Sequence, residues 1–293
     1  MKTLLIGNFG ARNVGDELIL TSALEAHPDA VVATADPTFS QHFVGRQFPT
    51  IRPFPTGLRS FLRFWCSPKF RHELWALRGQ VSAVVFPGGG LFSIRSRAFW
   101  IWGMTVWWLR KYFPEAEIHF EHQGIDRPRN FFQRWILKKT FRNAAKISVR
   151  DAASSEVLRS LGIESFLAGD RVETWLSKSE KKASQKRLLL NARSRADFSD
   201  IVKKYPDHEK IFLAMELGDA RFAPAKWEGQ TICPLTAAEA LGLFASAEMA
   251  VGERLHFLIL ANLLSAQTHL LREPYADKVR AFCEKEEIQK ARI

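Results

Sequence analysis

Residues 4–27 read LLIGNFGARNVGDELILTSALEAH. Three apolar residues, Leu4-Leu5-Ile6, run into a turn with glycines at Gly7, Gly10 and Gly15. Beyond the turn, Leu18, Ile19, Leu20, Ala23 and Leu24 recur at helical spacing. A short buried strand, a glycine loop and an apolar-faced helix are the opening unit of a parallel α/β sheet. The pattern recurs downstream. AVVATAD (30–36), SAVVFPGGG (82–90), EAEIHFEHQG (115–124) and AKISVRD (145–151) read as strands, and a helix runs from Ser154 to Leu161, closed by Gly162. The polar, cationic SKSEKKASQKR (177–187) has no face to bury and predicts a linker. A second α/β pattern follows it. RLLLNAR (187–193) and IFLAMEL (211–217) read as strands and TAAEALGLFASA (236–247) as a helix. MAVGERLHFLILANLL (249–264) runs from strand through turn into apolar helix, and residues 277–292 form a charged amphipathic tail. The expectation is α/β with two domains, 1–176 and a smaller 188–293. Ligands should sit at the loops that follow the strands.

At 293 residues, 46% of them apolar and 25% charged, the chain has the balance of an ordinary globular protein. The net charge of +11 favours anionic partners, such as phosphorylated metabolites or lipid headgroups. No helix-turn-helix, zinc-finger or RNA-binding signature is present, so nucleic acid is not an expected partner. Cys66, Cys233 and Cys283 are far apart and form no CxxC pair, which predicts free thiols in a reducing cytoplasm. The N-terminus lacks the apolar run of a secretion signal. The greasiest window, FWIWGMTVWWL (99–109), is too short to span a bilayer. It is rich in Trp and flanked by Arg95, Arg97, Arg110 and Lys111. It reads either as a core-facing helix or as one that touches a membrane surface.

Four segments carry chemistry. GNFGARNVGDE (7–17) has P-loop-like glycine spacing at Gly10 and Gly15, but Asp16-Glu17 stands where Lys-Ser/Thr is required, so the phosphate-cradle reading fails. Two readings remain: a tight turn with Asp16 at a helix start, or Asn13 and Asp16 holding sugar hydroxyls. PGGGLF (87–92) places Gly89 and Gly90 after a strand. They serve there as a turn or as side-chain-free backbone that a ligand can approach. His119, Glu121 and His122 lie on one strand, with His119 and Glu121 on one face and His122 on the other, a poor geometry for a shared metal. GERLHFLILA (252–261) opens an apolar helix with Glu253, Arg254 and His256. Free N–H groups at the helix start, a planar guanidinium and an imidazole suit an anion site with an acid/base, or else a salt-bridged helix start. Arg193 ends the first strand of the second domain, at the crevice or at the surface.

Taken together, GNFGARNVGDE, PGGGLF, SVRDAASSEVLRSLGI (148–163), VGERLHFLILA and PYADKVRAF (274–282) resemble the polysaccharide pyruvyl transferase family in order and spacing. The resemblance implies two Rossmann-like domains in a GT-B-like arrangement with a cleft between them. The N-terminal domain would be the acceptor side and the C-terminal domain the phosphoenolpyruvate side. It implies transfer of pyruvate from phosphoenolpyruvate to two hydroxyls of a sugar, forming a cyclic ketal during cell-surface polysaccharide synthesis. No cofactor or metal takes part. The family's donor-site residues fall on Arg193, Arg254 and Leu255, and its acid/base on His256. Asp170, in GDRVE, and Asp16 are candidates to accept a hydroxyl proton. Gly10, Asn13, Asp16, Gly89 and Gly90 are assigned to the acceptor, a saccharide that a lipid can carry at the inner face of the membrane. Two other functions fit the residues: a GT-B glycosyltransferase with a nucleotide-sugar donor, and a non-catalytic saccharide-binding relative.

Overall fold

In the computed structural model, described for residues 1–57, 60–62, 64, 67–94, 98–176, 185–224, 228–274 and 276–291, the α/β expectation holds as two parallel sheets. Cys66, Arg95, Arg97 and residues 177–184 of the expected linker lie outside the described residues. The first sheet is built from β1 (Lys2–Phe9), α1 (Val14–Ala26), β2 (Val31–Thr34), α2 (Pro37–Val44), β3 (Thr50–Ile51), α3 (Pro68–Leu77), β4 (Val81–Phe86), α4 (Phe99–Tyr112), β5 (Glu117–Gln123), α5 (Phe131–Phe141), β6 (Lys146–Val149), α6 (Ala152–Ser160), β7 (Phe166–Leu167) and α7 (Arg171–Leu176). Its order is β3-β2-β1-β4-β5-β6-β7, all parallel, with Leu4 beside both Val31 and Val84. Strand residues two apart share a face. Leu4, Ile6, Val84, Phe86, Ile118 and Phe120 accordingly enter one core with buried side chains of α3, α4, α5 and α6.

The second sheet follows from β8 (Gln185–Leu190), α8 (Ser199–Lys204), β9 (Glu209–Leu213), a 3₁₀ turn at Leu217–Phe222, β10 (Gln230–Ile232), α9 (Ala237–Ala245), β11 (Ala247–Gly252), α10 (Leu255–Leu264), β12 (Gln267–Leu270) and α11 (Asp277–Lys285). Its order, β10-β9-β8-β11-β12, repeats the doubly wound pattern in five strands. Leu188, Leu190, Phe212, Met249 and Val251 form its core with Phe198 and Ile201 at α8. The chain forms two compact units. Met1–Ala11, Ile19–Gln41 and Arg46–Thr174 make the first; Arg12–Leu18, His42–Gly45 and Trp175–Ile293 make the second.

Local chemistry explains the boundaries. Ser67, Asn130, Asp151 and Thr236 each cap a helix by accepting a backbone N–H three residues on. Gly162, at φ 70°, ends α6 as expected. Three expectations need correction. Gln185–Arg187, assigned to the linker, are the first half of β8. The strand read at 211–217 stops at Leu213, and Met215 and Glu216 leave the sheet. The regular alternation expected of His119, Glu121 and His122 is also broken. The register of β5 on β6 shifts between Phe120 and Gln123, and His122 takes φ 51°. Phe120 and Glu121 are both buried, as in the neighbouring strands, because both faces of the parallel sheet are covered. Cys233 and Cys283 are free thiols. No helix of the described residues is long and apolar enough to cross a membrane.

Candidate functional site

In the second unit, β8 and β11 are neighbours at the point where the strand order reverses, and there the loops at their carboxyl ends diverge. Those loops carry Asn191–Arg193 and Glu253–His256. Asn191 is fully buried. Its side chain donates to Leu213 O and accepts the Arg254 N–H at 3.3 Å, which ties the ends of three strands together. Glu253, also buried, accepts the Arg193 N–H and both Nε and a terminal nitrogen of Arg272, at 2.6 and 2.9 Å. The Arg254 guanidinium donates to Glu216 at 2.6 Å and to Asp219. Burial works against the Arg254 charge, but Asp219 and Glu216 outweigh it and raise its pKa above the ordinary value. Arg272 is raised in the same direction, chiefly by its hydrogen bond to Glu253. Arg254 Nε and Asp219 Oδ2 are among the buried atoms that have no hydrogen-bond partner among the described residues.

The start of α1 belongs to the same unit. Asn13 is its cap, accepting the Gly15 and Asp16 N–H groups at 3.0 and 3.3 Å. Val14 N–H donates to Met215 O at 2.8 Å, and Asn13 bridges Glu216. Gly15 is pressed against the His256 ring: a Cβ there would collide with Nδ1. The glycine is required so that the imidazole, in the first turn of α10, can lie on the backbone of α1.

The first unit has its own strand-order reversal, between β1 and β4. Gly88 and Gly89 follow β4 with φ of 134° and 92°, a region open to glycine. Their loop is held from three sides. Gly124 N–H donates to Gly89 O, Gln123 Nε2 to Phe86 O at 2.8 Å, and Arg171 Nε to Pro87 O at 2.6 Å. Arg171 also pairs with Glu121 in the interior. Burial raises the Glu121 pKa, but His27, Arg171 and Lys146 outweigh it and hold the carboxyl at about 2. A cavity of about 640 Å³ opens beside Gly7–Phe9 and is walled by Phe54, Phe64 and Phe70.

The expected site residues therefore fall into two groups. Asn13, Asp16, Arg193, Arg254, Leu255 and His256 belong to the second unit, where Leu255 is buried in the core. Gly10, Gly89, Gly90 and Asp170 belong to the first. The grouping of Asn13 and Asp16 with the N-terminal domain is thus corrected. Gly10 has a steric reason to be glycine, because it turns at φ 76° directly against Asp36 N. Asp170 is buried and accepts the Val172 N–H at 3.0 Å, at the start of α7. In SVRD, Asp151 caps α6 and Arg150 lies flat on Gly124, which has no room for a Cβ. Sequence reasoning missed Glu216, Asp219, Arg272 and the Glu121–Arg171 pair. Among the described residues, no three His, Cys, Asp or Glu side chains could hold a metal ion.

Residues 13–268 match the model of the polysaccharide pyruvyl transferase family. The chain belongs to that family. The match begins at the Asn13 cap of this pyruvyl transferase family member and takes in both strand-end loops of the second sheet. No curated protein sequence matches the chain. In fold, the family member is similar to UDP-GlcNAc 2-epimerase from Methanocaldococcus jannaschii in complex with UDP-GlcNAc and UDP. The TM-score is 0.62 at 14% identity, over 97% of this chain and 87% of that one. It is also similar to UDP-GlcNAc 2-epimerase from Neisseria meningitidis bound to UDP-GlcNAc, with TM-score 0.60 at 12% identity, over 99% and 87%. At such identities the likeness concerns the fold.

Proposed function

We propose that the protein is a phosphoenolpyruvate-dependent ketal pyruvyl transferase that acts on a saccharide, carried on lipid, at the cytoplasmic face of a membrane. The observation that carries this reading is the strand-end corner of the second unit. There His256 lies on Gly15 beside Arg254, Arg193 and Arg272, in a chain that belongs to the family. Phosphoenolpyruvate brings a carboxylate and a phosphate, and planar guanidiniums fix both in orientation. His256, protonated, gives its proton to the methylene carbon. One sugar hydroxyl attacks the adjacent carbon, forming a C–O bond, and loses its proton to a base. Asp16 is at hand in the same unit for this. The second hydroxyl then forms the other C–O bond as the C–O bond to phosphate breaks, and its proton leaves with the inorganic phosphate. In the first unit, the glycine loop Gly88–Gly90 and the cavity walled by Phe54, Phe64 and Phe70 suit a sugar. Backbone without side chains admits the hydroxyls, and aromatic faces take the ring. No cofactor is called for.

A second reading, a glycosyltransferase with a nucleotide-sugar donor, is favoured by the UDP-GlcNAc held in proteins of similar fold. Calorimetric titration separates the two. Saturable binding of phosphoenolpyruvate, lost in Arg193→Ala and absent with uridine diphosphate, is the expected result. Arg193 is exposed, so its loss leaves the fold intact. Binding of uridine diphosphate in place of phosphoenolpyruvate would select the glycosyltransferase.

A further inference from the structure

Helices α4 and α5 both turn large apolar side chains outward. On α4 the buried face is Phe99, Ile101, Trp102, Val106 and Leu109, while Trp100, Met104 and Trp107 stand on the opposite side at i, i+4 and i+7. On α5, Ile136, Leu137 and Phe141 enter the core, and Phe131, Phe132 and Trp135 are exposed, Phe131 at 79%. The two outer rows meet. Gly103 lets the helices approach so closely that a Cβ there would lie 2.8 Å from Ile136. The rings of Trp100 and Phe132 stand 5.7 Å apart, with Trp135 6.0 Å further on. Arg110 pins the far ends, donating to the carbonyls of Lys139, Thr140 and Arg142. The result is one continuous aromatic platform on a rigid pair of helices. Patches of this kind mark interaction sites rather than chance exposure.

The charges on the two helices are of one sign. Neither helix contains an Asp or Glu. Lys111, Arg127, Arg129, Arg134, Lys138 and Lys139 surround the aromatics, and the Lys111 ammonium lies 4.0 Å over the Trp107 ring. Trp and Phe inside a fringe of cations match the interface of a membrane with anionic headgroups. The rings enter the boundary region, and each cation near the surface adds to the attraction. We propose that this face of α4 and α5 seats the protein on the surface of an anionic lipid bilayer. Trp100, Phe131 and Phe132 stand at the helix starts, which follow the strand-end loops of β4 and β5. The glycine loop Gly88–Gly90 therefore lies at the seated end of the first unit. Such seating does not depend on the transfer chemistry, and vesicle binding and phosphoenolpyruvate binding are read separately.

The test is co-sedimentation of the full chain with vesicles of phosphatidylcholine, with and without phosphatidylglycerol, at low and high salt. Wild type should bind only vesicles that contain phosphatidylglycerol and be released by salt. The triple variant Phe131→Ser/Phe132→Ser/Trp135→Ser should lose binding on the order of tenfold or more. Lys138→Glu/Lys139→Glu should reduce binding while the aromatics remain. All five positions are exposed, and unchanged circular dichroism and phosphoenolpyruvate binding would show the fold intact. Wild-type binding by the triple variant would overturn the proposal, as would no binding by wild type. Concentration-dependent self-association abolished by the triple variant, without lipid binding, would also overturn it and assign the face to a second copy of the chain.

Discussion

At the carboxyl end of the first sheet, the segment Pro87–Phe92 after β4 carries three glycines and no charge. At the same place in the second sheet, the loop after β11 carries Glu253, Arg254 and His256. The topology is shared: in both sheets the strand order reverses between the first strand and the one beside it. The difference lies in where each unit keeps its charges. In the first, Glu121 and Arg171 are buried and act inward, holding the glycine loop from behind. In the second, Arg254 and Arg272 are only part-buried, and carboxylates hold them at the loop itself. In the proposed function the first end takes a neutral polyol and the second an anion, so that one strand order serves two roles by side-chain chemistry rather than by fold.

The sharpest break in that comparison is His256→Ala. Turnover should fall by roughly 10²–10⁴-fold, with phosphoenolpyruvate binding and thermal stability retained. Near wild-type turnover would reduce the second end to a scaffold. Next is Glu121→Gln, which leaves Arg171 buried without its counter-charge and should cost about 3–5 kcal/mol at neutral pH in chemical denaturation. The pH dependence has a definite sign. The folded carboxyl is held at about 2, below its ordinary 4.5. Its contribution is therefore complete above 4.5 and is lost as pH falls toward 2. The gap between wild type and Glu121→Gln should close across that window, and a gap constant with pH would show that the charge is not what holds the loop. A smaller effect follows from Gly15→Ala. The added methyl must displace the His256 ring, so kcat should drop on the order of tenfold, as a misplaced catalytic group implies. Binding of phosphoenolpyruvate should change little, and an unchanged kcat would separate His256 from the chemistry.

Much of this was legible in the sequence, and the parts that were not share a cause. Short apolar strands alternating with helical patterns announce both sheets, and Arg254 and His256 stand out because polar residues open an otherwise apolar helix. The Gly15–His256 contact joins residues 241 positions apart and leaves no local mark. The partners of Arg254 are also non-local: Glu216 and Asp219 lie 38 and 35 residues away, at the start of and within a 3₁₀ turn that no periodicity reveals. The packing reason for Gly10 is equally invisible in the sequence. A steric demand stands beside the expected acceptor contact, because a Cβ there would meet the Asp36 backbone. Helix α5 was not read as a helix, since Phe131, Phe132 and Trp135 on its outer side blur the apolar stripe made by Ile136, Leu137 and Phe141. The Trp-rich window, from its sequence, suits either the core or a membrane surface. Helix α4 packs one side into the core and leaves Trp100 and Trp107 outside.

The finest test concerns Glu216, whose carboxylate takes a terminal nitrogen of Arg254 at 2.6 Å while remaining half-exposed. If Arg254 serves an anion of the donor, Glu216 competes with that anion for the same N–H. Asp219 does not compete in the same way, because it is buried on the inner side and sets the pose of the guanidinium. Glu216→Gln keeps the shape and removes the competing charge. Exposed ion pairs are worth about 0.2–1 kcal/mol, so KM for phosphoenolpyruvate should fall by roughly 1.4- to 5-fold, with kcat within about twofold. The same substitution in the Arg254→Lys background should do less, since an ammonium lacks the second planar N–H that would pass to the substrate. A rise in KM would mean that Glu216 aims Arg254 rather than shielding it, and that the donor's anions are met by Arg193 and Arg272.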